Sequence, residues 1–415
     1  MIRKTRRFIF YIFLILFIIL VYIVILYSQG YSFDWRKKSL VITGAFYFKS
    51  YPKEADIYIN NEYQGKTNKF IKRLLPEEYS VKIFKHGYYE WQKALKVESK
   101  LVTEAKNVLL IKKNPSVNQI TNYNVRHLSF SNDKKKIIYL TDKATKEIDP
   151  AKQKVADPRE ITTYSNFALR LMDLTNNTDA QIPFSRIPKL SDLLEISWSS
   201  DNKRLLLLFP HNHYYILDLE NPSEIIDLNN LIKTVSNYNI KNSLFHLRDP
   251  NKIYFLSNDN LFLVDLTDVS LAASLSSDIS SYNLADNEIF YIQSTDHCLY
   301  KMNLDGSIKQ KIVEIPKNTQ ETQLSDDNKK LLWKTKNEIG VIWLEPDFEQ
   351  PLQERYEIKI VMKTLKEISQ AIWYSKTNQH IIFVVEDEIK ITELDGRDKR
   401  NTANIFSVEN PKVFY

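Results

Sequence analysis

The 415-residue sequence predicts an all-β fold apart from one N-terminal transmembrane helix, with a small β-sandwich followed by a β-propeller of six or seven blades. Three observations predict this order. An uncharged apolar run occupies residues 8–27, period-2 alternation recurs over residues 44–113, and a strand–turn–strand unit repeats over residues 117–415. Alternation with a period of two marks half-buried strands, and a repeat of about 40–50 residues is typical of propeller blades.

The apolar run at residues 8–27 has the length of a membrane-spanning helix, because about 20 apolar residues cross a hydrocarbon core of roughly 30 Å. The preceding tail, residues 1–7, carries four basic residues, Arg3, Lys4, Arg6 and Arg7. Positive charge beside a first span holds that end in the cytoplasm. We therefore predict a single-pass protein of the plasma membrane, with a cytoplasmic N-terminus and extracytoplasmic C-terminal domains.

A cleaved signal peptide is the alternative to a retained anchor. The apolar core of a signal peptide is usually about 7–15 residues long and precedes a small-x-small cleavage site. The run in this chain is longer, and the following residues 28–35, SQGYSFDW, contain no such pair at a suitable place. We therefore expect a retained anchor, joined to the first external module by a linker over residues 28–43.

Composition and charge narrow the classes of function. The chain has 57 basic and 51 acidic residues, and because four of the basic ones lie in the tail, the remainder is nearly balanced. A nucleic-acid-binding protein would carry a concentrated basic stripe, so we predict no nucleic-acid partner. Cys298 is the single cysteine, which excludes an intrachain disulfide and a cysteine-based zinc site. Only seven glycines are present, which argues against glycine-rich phosphate loops.

The alternation over residues 44–113 predicts antiparallel strands bounded by Asn, Gly and Pro turns. In this region the chain resembles the PEGA domain, and the matching residues are Gly44, Ala45, Phe46, Lys49, Ser50, Pro52, Ala55, Ile57, Tyr58, Ile59, Asn60, Gly65, Lys66, Thr67, Ile71, Leu74, Leu75, Pro76, Tyr79, Val81, Ile83, Lys85, Gly87, Tyr88 and Trp91. The resemblance implies a small β-sandwich that serves as a membrane-proximal binding, spacer or scaffold module and not as a catalytic unit. The chain departs from the family pattern at Lys53, Glu54 and Glu77, which lie in turns and affect only local turn geometry.

Two aromatic residues of this module, Tyr88 and Trp91, are candidate surface aromatics. An aromatic ring at a wet edge can stack on a sugar ring. A packed position is the alternative, because aromatic stripes in strands are more often part of a core. We expect both residues to close the small core, with surface stacking as the second interpretation.

Six copies of the later repeat are visible, and they start at Arg126, Glu195, Leu244, Tyr282, Thr322 and Ala371. The phrases SFSNDKKK at residues 129–136 and SWSSDNKR at residues 197–204 resemble TolB-type and WD-like propeller repeats, whose consensus turn is Ser-Pro-Asp-Gly-Lys. The Pro and Gly are missing here, and we assign the glycine place to Lys135 or Asn202. We expect six blades, with the tail at residues 404–415 closing the ring or beginning a seventh blade.

A polar insertion at residues 142–165 makes the first blade longer than the others. Loops of this length are usually functional or disordered. A loop that joins the second and third strands of a blade emerges on the face that often binds ligands, so we predict that this loop overhangs a partner surface. Its candidate partner-binding residues are Asp142, Lys146, Asp149, Lys152, Arg159 and Tyr164.

The sequence contains no recognisable catalytic motif. It has no Gly-x-Ser-x-Gly, His-Glu-x-x-His, Walker A or Gly-x-Gly-x-x-Gly pattern. His211 and His213 have no evident third ligand nearby, and the aspartates of the blade turns have a sufficient backbone role. We therefore predict no catalytic residues, no metal ion and no cofactor.

Together these observations favour a non-catalytic, membrane-anchored binding or scaffold protein. The propeller would serve as an interaction platform for an envelope protein or a cell-wall glycan. The alternative is a propeller enzyme that cleaves an envelope glycan or peptide, because propellers host both kinds of function. A sensor is the least favoured interpretation, since a cytoplasmic tail of seven residues is too short for a signalling domain.

Overall fold

The computed structural model describes residues 3–142, 167–183, 189–233, 238–409 and 411–412. This part of the chain consists almost entirely of antiparallel β-sheet, with a long N-terminal helix and a few short helical turns. The helical elements are α1 (Arg3–Ser28), α2 (Leu228–Lys233) and 3-10 turns at Leu190–Asp192 and Pro210–Asn212. The predicted fold class is therefore confirmed. Two compact units are distinguished, one of residues 1–116 with 325–413 and one of residues 117–324.

Helix α1 is the one helix in the described chain that is long and apolar enough to cross a membrane, over Arg6–Ser28. Its central side chains are exposed on all sides, so no described part of the protein covers them. A helix that is apolar all round needs an apolar environment to cover it. A membrane anchor and a signal sequence both meet this description.

A β-hairpin occupies most of the predicted linker. Strand β1 (Tyr31–Asp34) pairs with β2 (Ser39–Ile42), and Phe33 stands opposite Leu40. Asp34 is buried, and its Oδ1 accepts hydrogen bonds from the backbone N–H groups of Arg36 at 2.9 Å and Lys37 at 3.2 Å. The carboxylate orders the turn in this way, so the segment after the helix is a structured element.

The first module is a two-sheet sandwich. Its strands are β3 (Gly44–Tyr51), β4 (Asp56–Ile59), β5 (Glu62–Lys66), β6 (Lys69–Leu74), β7 (Glu78–Phe84), β8 (Trp91–Lys96) and β9 (Val102–Leu109). One sheet has the order β6-β3-β9 and the other has the order β5-β4-β7-β8. Alternate residues such as Phe46, Phe48, Ile57 and Val81 are fully buried between them. The alternation seen in the sequence is thus the inward face of each strand.

A small buried hydrogen-bond cluster connects the two sheets of the sandwich. Thr67 Oγ1 lies 2.7 Å from Ser50 Oγ and accepts the backbone N–H of Ala55 at 3.0 Å. The Ser50 hydroxyl also bonds to the carbonyl oxygen of Pro52 at 2.7 Å. Ser50 lies in β3 of one sheet, and Ala55 directly precedes β4 of the other, so this cluster ties the two layers together.

The remaining strands form six four-stranded sheets in the described residues, each with its strands in chain order. The first three are β10 (Val125–Phe130), β11 (Lys136–Asp142), β12 (Phe167–Asp173) and β13 (Thr178–Gln181); β14 (Glu195–Trp198), β15 (Arg204–Phe209), β16 (His213–Asp218) and β17 (Ile225–Asp227); and β18 (Ile240–Phe245), β19 (Lys252–Ser257), β20 (Asn260–Asp265) and β21 (Asp268–Ser276). The last three are β22 (Ile279–Leu284), β23 (Glu288–Gln293), β24 (Cys298–Asn303) and β25 (Gln310–Glu314); β26 (Glu321–Leu324), β27 (Lys330–Lys334), β28 (Glu338–Trp343) and β29 (Ile358–Lys363); and β30 (Ile368–Trp373), β31 (His380–Val385), β32 (Glu388–Glu393) and β33 (Thr402–Ser407).

These sheets have the up-and-down order of propeller blades, and we number them blades one to six. Residues 404–407 belong to β33, the fourth strand of blade six, so this part of the tail starts no further sheet. Within each compact unit, neighbouring blades share a core. Buried residues of blades one and two, two and three, three and four, and five and six pack together. A blade cannot bury both faces alone, which is why such units stack.

The first turn of a blade is stabilised by a repeated pattern of hydrogen bonds. In blade one, Ser131 Oγ donates to Asp133 Oδ1 at 2.6 Å, and the backbone N–H of Lys135 donates to the same oxygen at 3.1 Å. Blades two and five repeat this pattern from Ser199 and Ser325. The turn aspartates of these three blades therefore have a backbone role.

The left-handed residues in these turns show which residue takes the place of the consensus glycine, and they correct the assignment in blade one. In blade one the left-handed residue is Lys134, with φ +57°, and not Lys135. The equivalent residue of blade two is Asn202, with φ +58°. Glycine adopts this conformation without steric cost. Lys134 and Asn202 thus occupy the place of the consensus glycine.

Candidate functional site

Of the six predicted loop residues, the structure describes Asp142. It is the last residue of β11, and its carboxylate accepts hydrogen bonds from Arg126 Nε at 2.9 Å and from Asn124 Nδ2 at 3.1 Å. These partners hold it beside the start of β10 as part of the blade framework. The other five candidates, Lys146, Asp149, Lys152, Arg159 and Tyr164, lie outside the described residues. The partner-binding loop therefore stays a prediction.

The two candidate surface aromatics have different environments. Tyr88 is half-buried and packs against the core of the sandwich. Trp91 is 2% exposed, and its Nε1 donates a hydrogen bond to Glu393 Oε2 at 2.8 Å. The description of Trp91 as a surface aromatic is wrong, because blade six covers the strand on which it lies. No face of this ring is free to stack on a sugar.

Lys93, two residues further along β8, is the centre of the contact between the sandwich and blade six. Its side chain is 0% exposed, and Nζ lies 2.9 Å from Glu393 Oε1. The ammonium group also donates to the carbonyl oxygens of Asp395, Arg397 and Lys399, at 2.9, 2.8 and 2.7 Å. A buried charge is tolerated only when it is paired and its hydrogen bonds are satisfied. Here Glu393, the last residue of β32, supplies the opposite charge, and the loop that follows supplies the carbonyl oxygens.

Glu393 is held as firmly as its lysine partner. Its Oε1 accepts hydrogen bonds from the backbone N–H of Asn401 at 2.7 Å and from Asn401 Nδ2 at 2.8 Å. The side chain of Asn401 in turn pairs with the backbone of Gln92, accepting from its N–H and donating to its carbonyl oxygen, each at 3.2 Å. Carboxylate, amide and ammonium thus form one connected network with backbone groups of both elements.

This network covers an edge of the sandwich. Strand β8 is the last strand of its sheet and would otherwise present unpaired N–H groups to solvent. The N–H of Gln92 is satisfied by Asn401, and the N–H of Ala94 donates to Asp398 Oδ2 at 2.9 Å. Blade six therefore satisfies two N–H groups of this edge with side-chain oxygens instead of a further strand.

A second contact secures the edge of the other sheet of the sandwich. The loop between β28 and β29 of blade five reaches strand β9, where Gln350 Oε1 accepts the N–H of Glu104 and Gln350 Nε2 donates to the carbonyl oxygen of Val102, each at 2.9 Å. Asn107 Nδ2 donates to Glu349 Oε2 at 3.1 Å. Both sheets of the sandwich are thus attached to the last two blades, within one compact unit.

Cavities occur at this contact and in the neighbouring blade five. One of about 330 Å³ is an open depression in blade five, and its ionisable lining residues are Asp327, Lys329, Lys330, Glu345, Asp347 and Glu349. Lys330 lies 4.0 Å from Asp327 and 3.9 Å from Asp347, so this lysine pairs with both carboxylates. A second one of about 140 Å³ contains His380, whose pKa burial lowers to about 4. His380 is therefore neutral at pH 7. Among the residues that the structure describes, no group of three or more His, Cys, Asp or Glu side chains could hold a metal ion.

The sequence analysis singled out Trp91 but did not predict that Lys93, Glu393 or Gln350 forms a contact between modules.

Comparison with known proteins bears on the two modules separately. Residues 43–112 match the PEGA domain family. The predicted PEGA domain is confirmed, and with the six blades it gives the order apolar helix, PEGA domain and propeller-type blades along the chain. No curated protein sequence matched the chain.

Several solved β-propeller structures are similar to the chain. One is the β-propeller domain of Cps50 (Swd1) from Myceliophteria thermophila, with 12% identity, a TM-score of 0.46, and coverage of 71% of this chain and 88% of that one. Another is Hsv2 from Kluyveromyces lactis, with 10% identity, a TM-score of 0.41, and coverage of 66% and 75%. TolB from Acinetobacter baumannii has 15% identity, a TM-score of 0.38, and coverage of 60% and 62%.

Proposed function

We propose that this chain is a non-catalytic scaffold, retained in the plasma membrane by α1, that presents its blades to an envelope protein or a cell-wall glycan. The observation that carries the proposal is the buried Lys93–Glu393 network, which attaches the PEGA sandwich to blade six. A spacer between a membrane helix and a binding platform transmits position only if the connection is stiff. A fully buried ion pair with further hydrogen bonds provides such a connection.

Two sequence features support the anchor and its orientation. The apolar run is longer than the core of an ordinary signal peptide, and the four basic residues before it favour a cytoplasmic N-terminus. The PEGA domain follows directly on the far side of the helix. In this arrangement the sandwich stands next to the membrane, and the blades are extracytoplasmic.

The non-catalytic assignment is supported by the roles that chemically capable side chains have in the described residues. His380 is buried in its neutral form, and the carboxylate of Glu393 is occupied by Lys93, Trp91 and Asn401. The aspartates of three blade turns accept backbone N–H groups. Each of these groups already has a structural function, whereas acid–base catalysis requires carboxylates or histidines that face a substrate.

A capture experiment with the full-length chain tests this proposal. The chain, solubilised in mild detergent and immobilised, is incubated separately with solubilised envelope proteins and with purified cell-wall material. We expect saturable, stoichiometric retention of one defined protein or glycan, with no change in its length. A variant with residues 143–165 replaced by a Gly-Ser linker should retain less of it if the predicted loop contributes. Release of shortened glycan or peptide would contradict the proposal and favour the enzyme alternative.

A further inference from the structure

The hairpin that follows α1 lies within a short distance of the helix end. From Ser28 to Trp35 the chain covers seven residues, which span at most about 25 Å even when fully extended. The base of the hairpin is closed by Thr43, whose N–H and hydroxyl both donate to the carbonyl oxygen of Gly30, at 2.9 and 2.8 Å. If α1 spans a bilayer, the hairpin must therefore lie at or near the bilayer surface.

The tip of this hairpin combines apolar and basic side chains that no described residue covers. Trp35 is 83% exposed, and its ring is in edge contact with that of Phe33, with 4.8 Å between ring centres. Leu40, opposite Phe33, is also exposed. Lys37 and Lys38, in the turn between the two strands, are exposed as well. In a soluble environment such a tip would leave a large aromatic surface in water.

Strand β6 of the sandwich extends this basic surface. The guanidinium of Arg73 lies 3.2 Å from the centre of the Tyr27 ring in the last turn of α1, so the end of β6 is next to the end of the helix. Along the same edge strand, Lys72 lies 5.4 Å from the centre of the exposed Phe70 ring. Arg36 of the hairpin pairs with Glu77 of the sandwich at 3.2 Å, which links the two parts.

We propose that the hairpin at residues 31–42 and strand β6 form a membrane-contact face that binds the headgroups of an anionic phospholipid bilayer. The inference rests on one part of the proposed function, namely that α1 is retained as a membrane span. Tryptophan is enriched at the headgroup level of membranes. Lysine and arginine side chains close to a bilayer surface are attracted to anionic lipid headgroups. Because a membrane-spanning α1 keeps the hairpin at the bilayer surface, a protein partner would have to compete with lipid headgroups for this face.

On this face Trp35 and Leu40 insert at the level of the headgroups, and Lys37, Lys38, Lys72 and Arg73 attract the phosphates. Asp34 fixes the turn beforehand through the N–H groups of Arg36 and Lys37, so little conformational freedom is lost on binding. The face would hold the PEGA sandwich against the membrane.

Tryptophan fluorescence can test the contact directly. Six tryptophans are present in the chain, and five of them are buried, with exposures of 7% or less; only Trp35 is exposed. The full-length chain is reconstituted into phosphatidylcholine vesicles, with or without phosphatidylglycerol, using lipids brominated near the headgroup as quenchers. We expect a quenched component that disappears in Trp35→Phe and that is larger in the vesicles with phosphatidylglycerol.

A matched pair of variants isolates the contribution of charge. Lys37→Gln with Lys38→Asn removes two of the four basic side chains of this face and should reduce the difference between the two kinds of vesicle. Lys135→Gln with Lys134→Asn, which changes another exposed turn with the same left-handed position, should preserve it, since Lys38 and Lys134 have φ of +50° and +57°. Asn is suited to both left-handed positions.

Two results would overturn the inference. One is a chain that co-floats with the vesicles but shows no quenching of Trp35. The other is quenching that is equal in both kinds of vesicle and unaffected by the substitution of Lys37 and Lys38. A chain that separates from the vesicles during flotation would instead refute the anchor itself, and with it both the proposed function and this inference, so the two failures are distinguishable.

Discussion

Lysine acts differently in two regions of the chain, the edge of the PEGA sandwich that faces blade six and the hairpin that follows α1. At the edge facing blade six, Lys93 is fully buried and has an ion pair and three carbonyl partners. In the hairpin, Lys37 and Lys38 are exposed. A buried lysine must have its charge balanced within the protein, so it fixes geometry. An exposed lysine remains available to the surroundings, and it contributes little to folding.

The largest expected effect concerns the buried edge. Lys93→Met removes the cation and leaves Glu393 buried without its ion pair, at an expected cost of about 3–5 kcal/mol in the free energy of unfolding. Chemical denaturation of the full-length chain in detergent, followed by tryptophan fluorescence, measures this change. Lys96→Met is the matched control on the same strand, because the Lys96 side chain is 71% exposed. Its expected effect is within about 0.5 kcal/mol. An equal loss in both variants would contradict a special role for Lys93.

The second prediction concerns the pH dependence of stability and His380, which lines a cavity at the contact between the sandwich and blade six. The pKa of His380 falls from 6.5 to about 4 because burial disfavours its charged form, and its Nδ1 lies 3.0 Å from Thr377 Oγ1. The unfolded chain binds the proton more tightly, so stability is lost as the pH falls from about 6.5 towards 4, by about 3 kcal/mol in total. His380→Phe should flatten this part of the pH profile of the unfolding free energy. His211→Asn controls for the loss of an exposed histidine, and an unchanged slope in His380→Phe would refute the assignment.

A smaller effect should follow from removing one hydrogen bond to Glu393. Trp91→Phe deletes the indole N–H that donates to the carboxylate, and a hydrogen bond to a charged group contributes about 1.5–3 kcal/mol. Trp333→Phe is a matched control, since Trp333 is also buried and its Nε1 has no hydrogen-bond partner among the described residues. The two variants lose similar ring volume. If thermal unfolding shows equal destabilisation, the hydrogen bond of Trp91 adds nothing.

The smallest effect on stability is expected in the hairpin that follows α1. Lys37→Gln with Lys38→Asn changes two exposed residues, so the free energy of unfolding should change by less than about 0.5 kcal/mol. The same variant should nevertheless show a weaker effect of anionic lipid on Trp35 quenching. A stability loss as large as that of Lys93→Met would remove the contrast between the two regions, because it would give both lysine sites a structural role.

The sequence predicts well those parts of the fold in which a hydrophobic pattern continues over many residues. The long apolar run predicts α1, the alternation in the sandwich predicts its inward faces, and the repeat predicts the blades. The hairpin at residues 31–42 is missed because strands of four residues are too short to show a clear alternation. Nothing local marks Asp34 as a buried residue that orders a turn.

The contact with blade six could not be predicted for a different reason. Strand alternation indicates that Trp91 and Lys93 lie on the same face, but not that residues about 300 positions later cover them. A lysine in a strand is ordinarily exposed. Its burial depends on the carbonyl oxygens of the loop after β32, and that pairing is a property of tertiary structure. The same limit applies to Gln350, whose partners on β9 lie 246 and 248 positions earlier in the sequence.

We propose that the buried Lys93 network fixes the PEGA sandwich to blade six, so that the two move together. The most direct test is a distance distribution from pulsed electron paramagnetic resonance, with spin labels at two exposed positions, Glu62→Cys and Lys376→Cys, in a full-length chain that also carries Cys298→Ala. We predict a single narrow distribution that broadens when Lys93→Met is added. A broad or multimodal distribution without Lys93→Met would contradict the claim, because the sandwich would then move independently of the blade.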